Sequence, residues 1–284
     1  LLFTLTSAKN LLYLLTNLPL IKALVNFMNK NIYKMSENTK FNASILIIGN
    51  EILSGRTQDT NTSTLSTWLN SLGVKVGEVR VIPDIENTIV EHVNILRKKY
   101  NYVFTSGGIG PTHDDITSES ISKAFKLPYE KHEEGYKILN AYYKPGEFND
   151  GRQKMIWMPK GANLILNPTS GAPGFYIENV FVLPGVPSIL KSMLGGIKNK
   201  IVGGNPIISQ TISLRTFESH IADSLTAVQN KYQNVEIGSY PFFQAGKLGV
   251  SIVIRSDDKE LINKCSSEVM SFVSEKKIEI VNRE

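Results

Sequence analysis

Residues Thr105–Thr117 read Thr-Ser-Gly-Gly-Ile-Gly-Pro-Thr-His-Asp-Asp-Ile-Thr. Three glycines and Pro111 specify a tight turn, and Asp114 and Asp115 follow side by side. Such a turn lets backbone N–H groups approach a phosphate, and a carboxylate close by can hold a hard divalent cation against it. Gly107, Gly108, Gly110 and Thr112 are the candidate phosphate contacts, and a nucleotide-like ligand is the chemistry they suit. Neighbouring side chains point in different directions, so one aspartate is expected to be a direct metal ligand and the other a helper. The competing role for both is capping the next helix, which accounts for one carboxylate better than for two. The loop is not a phosphate-binding Walker loop, because no Gly-Lys-Ser/Thr follows. It also lacks the Gly-x-Gly-x-x-Gly dinucleotide spacing. His113 is either a titrating group or, more simply, a hydrogen-bonding loop residue.

A second polar loop runs from Asn50 to Thr60. Glu51 could hold a metal or a ribose, or bond within the loop. Ser54, Gly55 and Arg56 offer phosphate contacts, with Arg56 the natural partner in charge. Asp59 and Asn61 stand at a helix start, as caps or as ligand contacts. Pro184 and Gly185 form a third corner, and Ser170 and Gly171 lie in a further glycine- and proline-rich loop, Asn167–Gly174.

These loops need a scaffold that brings them together. Ser44–Ile48 is apolar without alternation, the pattern of a strand buried on both faces. A helix carrying Leu65, Trp68, Leu69 and Leu72 follows and stops at Gly73. Val74–Ile82 alternates as a strand. Pro83-Asp84 reads as a turn and helix N-cap, leading to Ile85, Ile89, Val93 and Leu96 on one helical face. Tyr102–Phe104 is the strand that delivers the glycine loop, and Ser118–Phe125 the helix after it. The order β-α-β-α-β predicts an α/β fold with a mostly parallel sheet covered on both faces, its ligand beyond the C-terminal strand ends. Glu130–Tyr143 reads as a helix and Asn149–Arg152 as a polar connection. Phe175–Ile177 and Val180–Leu183 read as a hairpin, and Ser188–Leu194 as a helix. Gly195–Pro206 is the expected boundary. Beyond it a small α+β unit, β-α-β-β-α, is predicted: strand Ile208–Leu214, helix Glu218–Lys231, strands Val235–Tyr240 and Val250–Ser256, and helix Lys259–Glu275. The expected organisation is an extension over residues 1–40, an α/β domain over 41–198 and a small domain over 206–284. Met35 reads as the start of the protein proper, with Leu1–Lys34 upstream of it. A targeting segment is the rival reading.

The 284 residues carry a formal charge of +5. Lys9, Lys22, Lys30 and Lys34 supply most of it, in a stretch with no acid. Removing them from the 31 basic residues leaves 27 against 26 acidic ones. A nearly neutral body argues against a nucleic-acid partner. Gly246-Lys247-Leu248-Gly249 matches the Gly-x-x-Gly of KH domains, but between two strands it reads as a hairpin turn. Gly238–Phe243 reads as packing at a strand end. The lone Cys265 excludes a disulfide framework and fits a cytoplasmic location. No run is long enough to span a membrane.

Gly49–Gly55, Thr105–Thr117, Asn167–Phe175 and Leu183–Pro187 together closely resemble the molybdopterin-binding (MoaB/Mog) domain family. The nearest branch is the N-terminal region of CinA-like proteins, and the related domain of eukaryotic FAD synthases is similar. The resemblance runs from about Ser44 to Glu275. It implies a three-layer α/β/α domain, a KH-like small domain, and a homo-oligomer. It makes Asp115 the counterpart of an aspartate needed for Mg-dependent adenylyl transfer. It also implies the activity of CinA-type relatives, which hydrolyse the pyrophosphate of ADP-ribose or FAD with a divalent metal. Asn50 stands where many relatives have Asp. The chain ends where full-length CinA continues into a deamidase domain, so that activity is expected to be absent. The leading expectation is therefore a divalent-cation-dependent (Mg, Co or Mn) nucleotide pyrophosphatase with Asp115 and Asp114 catalytic and Asp115 and Glu51 as metal ligands. Molybdopterin binding or adenylyl transfer is the alternative, and a non-catalytic nucleotide- or pterin-binding module a third reading.

Overall fold

The computed structural model describes residues 41–244 and 246–283; the readings placed on residues 1–40, including the start at Met35, lie outside them. The first part alternates strands and helices: β1 (Phe41–Ile48), α1 (Asn50–Leu53), α2 (Asn61–Ser71), β2 (Val74–Ile82), α3 (Glu86–Lys99), β3 (Tyr102–Ser106) and α4 (Thr117–Phe125). An excursion follows, made of β4 (Tyr129–Lys131), α5 (Glu133–Tyr142), α6 (Asp150–Lys154) and β5 (Trp157–Pro159). The chain then returns through β6 (Asn163–Ile165), β7 (Gly174–Ile177), β8 (Val180–Leu183) and α7 (Pro187–Ile197).

The main sheet has the order β2-β1-β3-β8-β7-β6. β2, β1, β3 and β8 run parallel, while β7 and β6 are antiparallel additions. The unbroken apolar run of β1 is explained by its two faces. Ala43, Ile45 and Ile47 pack with Leu65, Leu69, Leu190 and Met193 of α2 and α7. Leu46 and Ile48 pack with Ile89, Val93, Leu96 and Ile121 of α3 and α4. Both faces are dry, so neither tolerates a polar alternation. The result is the three-layer α/β/α arrangement expected from the motifs.

The second part comprises β9 (Ile208–Leu214), α8 (Glu218–Lys231), β10 (Glu236–Gln244), β11 (Lys247–Ser256), α9 (Lys259–Glu275) and β12 (Ile280–Arg283). Its separate sheet, β10-β11-β9-β12, is antiparallel throughout. Ile212, Leu214, Val250, Ile252 and Ile254 meet Ile221, Val228, Val269 and Phe272 from the two helices in one core. β12 is an addition to the predicted unit and gives a split β-α-β-β-α-β pattern. Its four residues carry too little periodicity to read alone, and pairing with β9 organises them.

Several local expectations change. Glu130 and Lys131 lie in β4, because pairing with β5 and the Tyr129–Trp157 ring contact at 5.5 Å override their helical pattern. The helix then starts after His132, whose Nδ1 accepts the Gly135 N–H at 3.2 Å. The stretch read as a polar connection forms α6, capped by Asn149 accepting from Arg152 N–H at 3.0 Å. α7 runs on through Gly195 and Gly196 to Ile197. The segment after it is docked: Val202 N–H donates to the Tyr102 hydroxyl at 2.9 Å, and Ile207 N–H to the Asn70 carbonyl at 3.1 Å. Ile85 precedes α3 and is exposed. Phe243, expected to pack, lies within β10 and is 71% exposed.

Candidate functional site

Parallel pairing places the ends of β1, β2, β3 and β8 at one edge of the sheet. β7 runs opposite to β8, so its start joins them there. The five segments that carry the candidate residues thus emerge at one edge, as the β-α-β reading required.

The glycine loop is shaped by its neighbours. Gly107 has φ +111°, and a Cβ there would collide with the Ile48 carbonyl of the adjacent strand. Its N–H donates to the Leu183 carbonyl at 3.1 Å, which ties the loop to the β8 corner. Gly108 has φ +68°, and its carbonyl accepts the Thr117 N–H at 2.9 Å as α4 begins. At Gly110 a Cβ would lie 2.7 Å from the Asp115 carboxylate. These positions exclude side chains because the loop packs directly on Ile48, Thr117 and Asp115.

Asn61 fastens three corners together. Its Nδ2 donates to Ser106 Oγ at 2.9 Å and to the Gly185 carbonyl at 2.7 Å. Ser106 Oγ in turn donates to the Pro184 carbonyl at 3.2 Å. Asn61 is 6% exposed, and its Oδ1 has no protein partner; neither does Thr117 Oγ1, next to Gly108. A buried polar atom left unpaired costs about 1–3 kcal/mol, and the same holds for Ser44 Oγ and Thr105 Oγ1 within the sheet. Asp59, by contrast, is engaged as a cap: Oδ1 accepts Asn61 N–H at 2.8 Å and Thr62 N–H at 3.2 Å, and Oδ2 accepts the Thr62 hydroxyl.

The carboxylates divide by environment. Asp115 Oδ2 accepts both the Thr112 N–H, at 2.8 Å, and the Thr112 hydroxyl, at 2.5 Å, and so closes the turn. Asp114 is exposed, and the Thr112 hydroxyl and the loop backbone hold its carboxyl below the ordinary value. Asp84, read as a helix cap, performs another task. Its Oδ2 accepts the Asn50 N–H at 2.8 Å, across to α1, and Oδ1 lies 3.6 Å from where a Gly108 Cβ would stand. Burial pushes the Asp84 carboxyl up, and the charges of Glu51 and Asp114 add to this against the pull of the Asn50 N–H. Asp84 is the site residue that sequence reasoning missed. A Pro-Asp pair before a helix is a local cap signal, and only the β1–β2 pairing brings Asp84 to Asn50.

Among the described residues no group of three or more His, Cys, Asp or Glu side chains is gathered for a metal ion. What exists is Asp84, with the charges of Glu51 and Asp114 close enough to raise the cost of ionising it. That donor chemistry fits a hard cation held by one or two carboxylates and completed by substrate phosphates, as Mg²⁺ commonly is. Arg56 and Ser54 lie exposed on the first loop, with Gly55 at φ +72° and open space beside it. Ser170 is fixed by Asn167, whose Oδ1 accepts its N–H at 3.1 Å and whose Nδ2 donates to its Oγ at 2.7 Å. The adjoining Gly171 lies under the Tyr142 ring. Lys154, from α6, donates through Nζ to the Thr112 carbonyl and adds positive charge the loop sequence does not show.

Known proteins resemble this chain in both of its parts. The family described as "Probable molybdopterin binding domain" matches residues 44–202, and "FAD synthase, middle domain" matches residues 206–282. A protein of Archaeoglobus fulgidus is 33% identical over 234 residues, covering 82% of this chain and 98% of its own. A CinA-like protein of Prochlorococcus marinus is 31% identical over 242 residues, covering 81% of this chain but 56% of its own length. The crystal structure of CinA, with unknown function, from Thermoplasma acidophilum is similar at a TM-score of 0.54 and 31% identity, covering 56% of this chain and 96% of that one. No helix among the described residues is long and apolar enough to cross a membrane. With a family model matching more than half of its length, this chain belongs to the molybdopterin-binding domain family and is CinA-like in sequence.

Proposed function

We propose that the protein hydrolyses a nucleotide pyrophosphate of the ADP-ribose or FAD type with the help of a divalent cation. One observation carries this reading: the glycine loop is bracketed by two carboxylates, Asp84 near Gly108 and Asp115 against Gly110. Phosphate oxygens accept from the N–H groups of Gly108, Ile109 and Gly110, since those of Gly107 and Thr112 are engaged within the protein, and from Gly185 at the neighbouring corner. Arg56 and Lys154 supply positive charge from two sides. Asp84 and Asp115 would be the carboxylate donors for the cation, completed by substrate phosphates, and the cation would polarise phosphorus and lower the pKa of attacking water. Asn61 orients the corners through its bonds to Ser106 and Gly185.

Molybdopterin adenylyl transfer is the second reading, favoured by the family match over residues 44–202. Incubation with ADP-ribose or FAD and Mg²⁺, Co²⁺ or Mn²⁺, against molybdopterin with ATP, separates the two. Release of the mononucleotides without a pterin supports hydrolysis. ATP turnover only in the presence of molybdopterin supports transfer.

A further inference from the structure

The excursion between β4 and β5 does more than link two parts of the fold. Lys154 reaches the Thr112 carbonyl, and Gly151 stands with its Cβ position 3.6 Å from the Pro111 carbonyl. At its other end Tyr142 lies on Gly171, where a Cβ would be only 2.8 Å from the ring. The excursion therefore bridges the glycine loop and the loop between β6 and β7, both at the ligand edge.

Tyr142 is held there firmly. Gly171 adopts φ +75°, and the ring rests on its backbone in place of a side chain. Tyr143 meets Tyr142 edge to face at 5.1 Å and is itself stacked on Phe148 and covered by the Arg152 guanidinium at 4.2 Å. Despite this support Tyr142 remains 54% exposed. Leu166 and Val186, from the two neighbouring corners, are exposed at 59% and 52%. Tyr142, Leu166 and Val186 thus add exposed apolar surface, one aromatic face among it, at the same strand-end edge as the polar loops. That pairing of features fits a ligand whose phosphates are joined to a planar ring.

Resting on the proposed pyrophosphate chemistry, we infer that Tyr142 is the specificity-determining platform on which the heteroaromatic ring of the nucleotide stacks. Gly171 and Tyr143 act as its positioning support. Ring stacking is sequence-tolerant and contributes enough per base to read in a binding assay.

The test is calorimetric titration of the full chain and its variants with FAD and ADP-ribose, which carry heteroaromatic rings, and with inorganic pyrophosphate and ribose 5-phosphate, which carry none. Tyr142→Ala is expected to weaken both ring-bearing ligands about tenfold or more. Tyr142→Phe and Tyr142→Trp should stay within about threefold of wild type, and the ring-free probes should bind all forms alike. If the ring-free probes bind too weakly to measure, recovery by Phe and Trp decides. Unchanged FAD and ADP-ribose binding in Tyr142→Ala overturns the platform, as does equal weakening of ring-free probes. Absence of binding of either ring-bearing ligand to wild type also overturns it. Ring-dependent binding without turnover would instead remove the hydrolase reading and leave the platform standing.

Discussion

Asp84 accepts the backbone N–H of Asn50 at 2.8 Å, joining the end of β2 to the start of α1 across 34 residues of sequence. The bond holds a partly buried carboxylate toward Gly108, facing the charges of Glu51 and Asp114. Because the folded chain binds this proton more tightly than the unfolded one, Asp84 takes away stability as pH rises from the ordinary carboxylate range through its raised value. Asp84→Asn keeps an acceptor for Asn50 and removes the charge. Thermal melts from pH 4 to pH 8 should show the variant equal to or more stable than wild type at the upper end, with the gap closing at the lower end. Divalent cation should raise the wild-type Tm more than that of the variant.

Asn61→Ala removes the donor shared by Ser106 and Gly185 and leaves the buried Ser106 hydroxyl and the Gly185 carbonyl without it. The expected loss is about 1–3 kcal/mol in denaturant unfolding. Asn61→Asp has the same size but presents an acceptor to the Gly185 carbonyl, and should lose nucleotide binding at least as severely. Calorimetric titration with ADP-ribose checks this second outcome.

Gly107 and Gly55 both adopt positive φ, yet substitution should affect them unequally. A methyl group at Gly107 meets the Ile48 carbonyl of a central strand, whereas at Gly55 nothing lies within 4 Å. Gly107→Ala should cost more than about 2 kcal/mol, and Gly55→Ala about 1 kcal/mol from backbone strain alone. Comparing the two unfolding midpoints is sufficient.

Glu78 lies far from the site, on the edge strand β2. Lys99, Arg80 and the Tyr100 hydroxyl hold its carboxyl down at about 2. Its contribution is fully present above the ordinary carboxylate value and is lost as pH falls through about 2. The ion pairs are solvent-accessible, so Glu78→Gln should lower stability by no more than about 1 kcal/mol at pH 7. The difference from wild type should vanish in melts near pH 2.

The main sheet was legible because its cues are local and strong. The apolar run of β1, the 3–4 spacing of Leu65 and Leu69, and the glycines of the Gly107 loop each force one backbone outcome. Helix bounds in the small domain were equally plain, since Asp258 caps α9 through Glu260 and Leu261 N–H groups. What escaped depends on pairing across long separations. Asp84 looks like a cap, Lys154 looks like a surface lysine, and Tyr142 looks like one more apolar position of a helix. Each acquires its place only when the excursion and the strand ends close on the same edge. Glu130 and Lys131 escaped for a related reason, because β5 captures them after the helix pattern has been set.

The most direct measurement is the rate of ADP-ribose and FAD hydrolysis by the full chain with Mg²⁺, Co²⁺ or Mn²⁺, in wild type, Asp115→Ala and Asp84→Asn. Two carboxylates bracketing the glycine loop should make wild type active only with cation, and each variant should lose at least about tenfold in kcat while retaining its fold by circular dichroism. Rates that are equal in all three proteins, or unchanged when the cation is chelated, would contradict the assignment of this edge as a metal-assisted pyrophosphatase site.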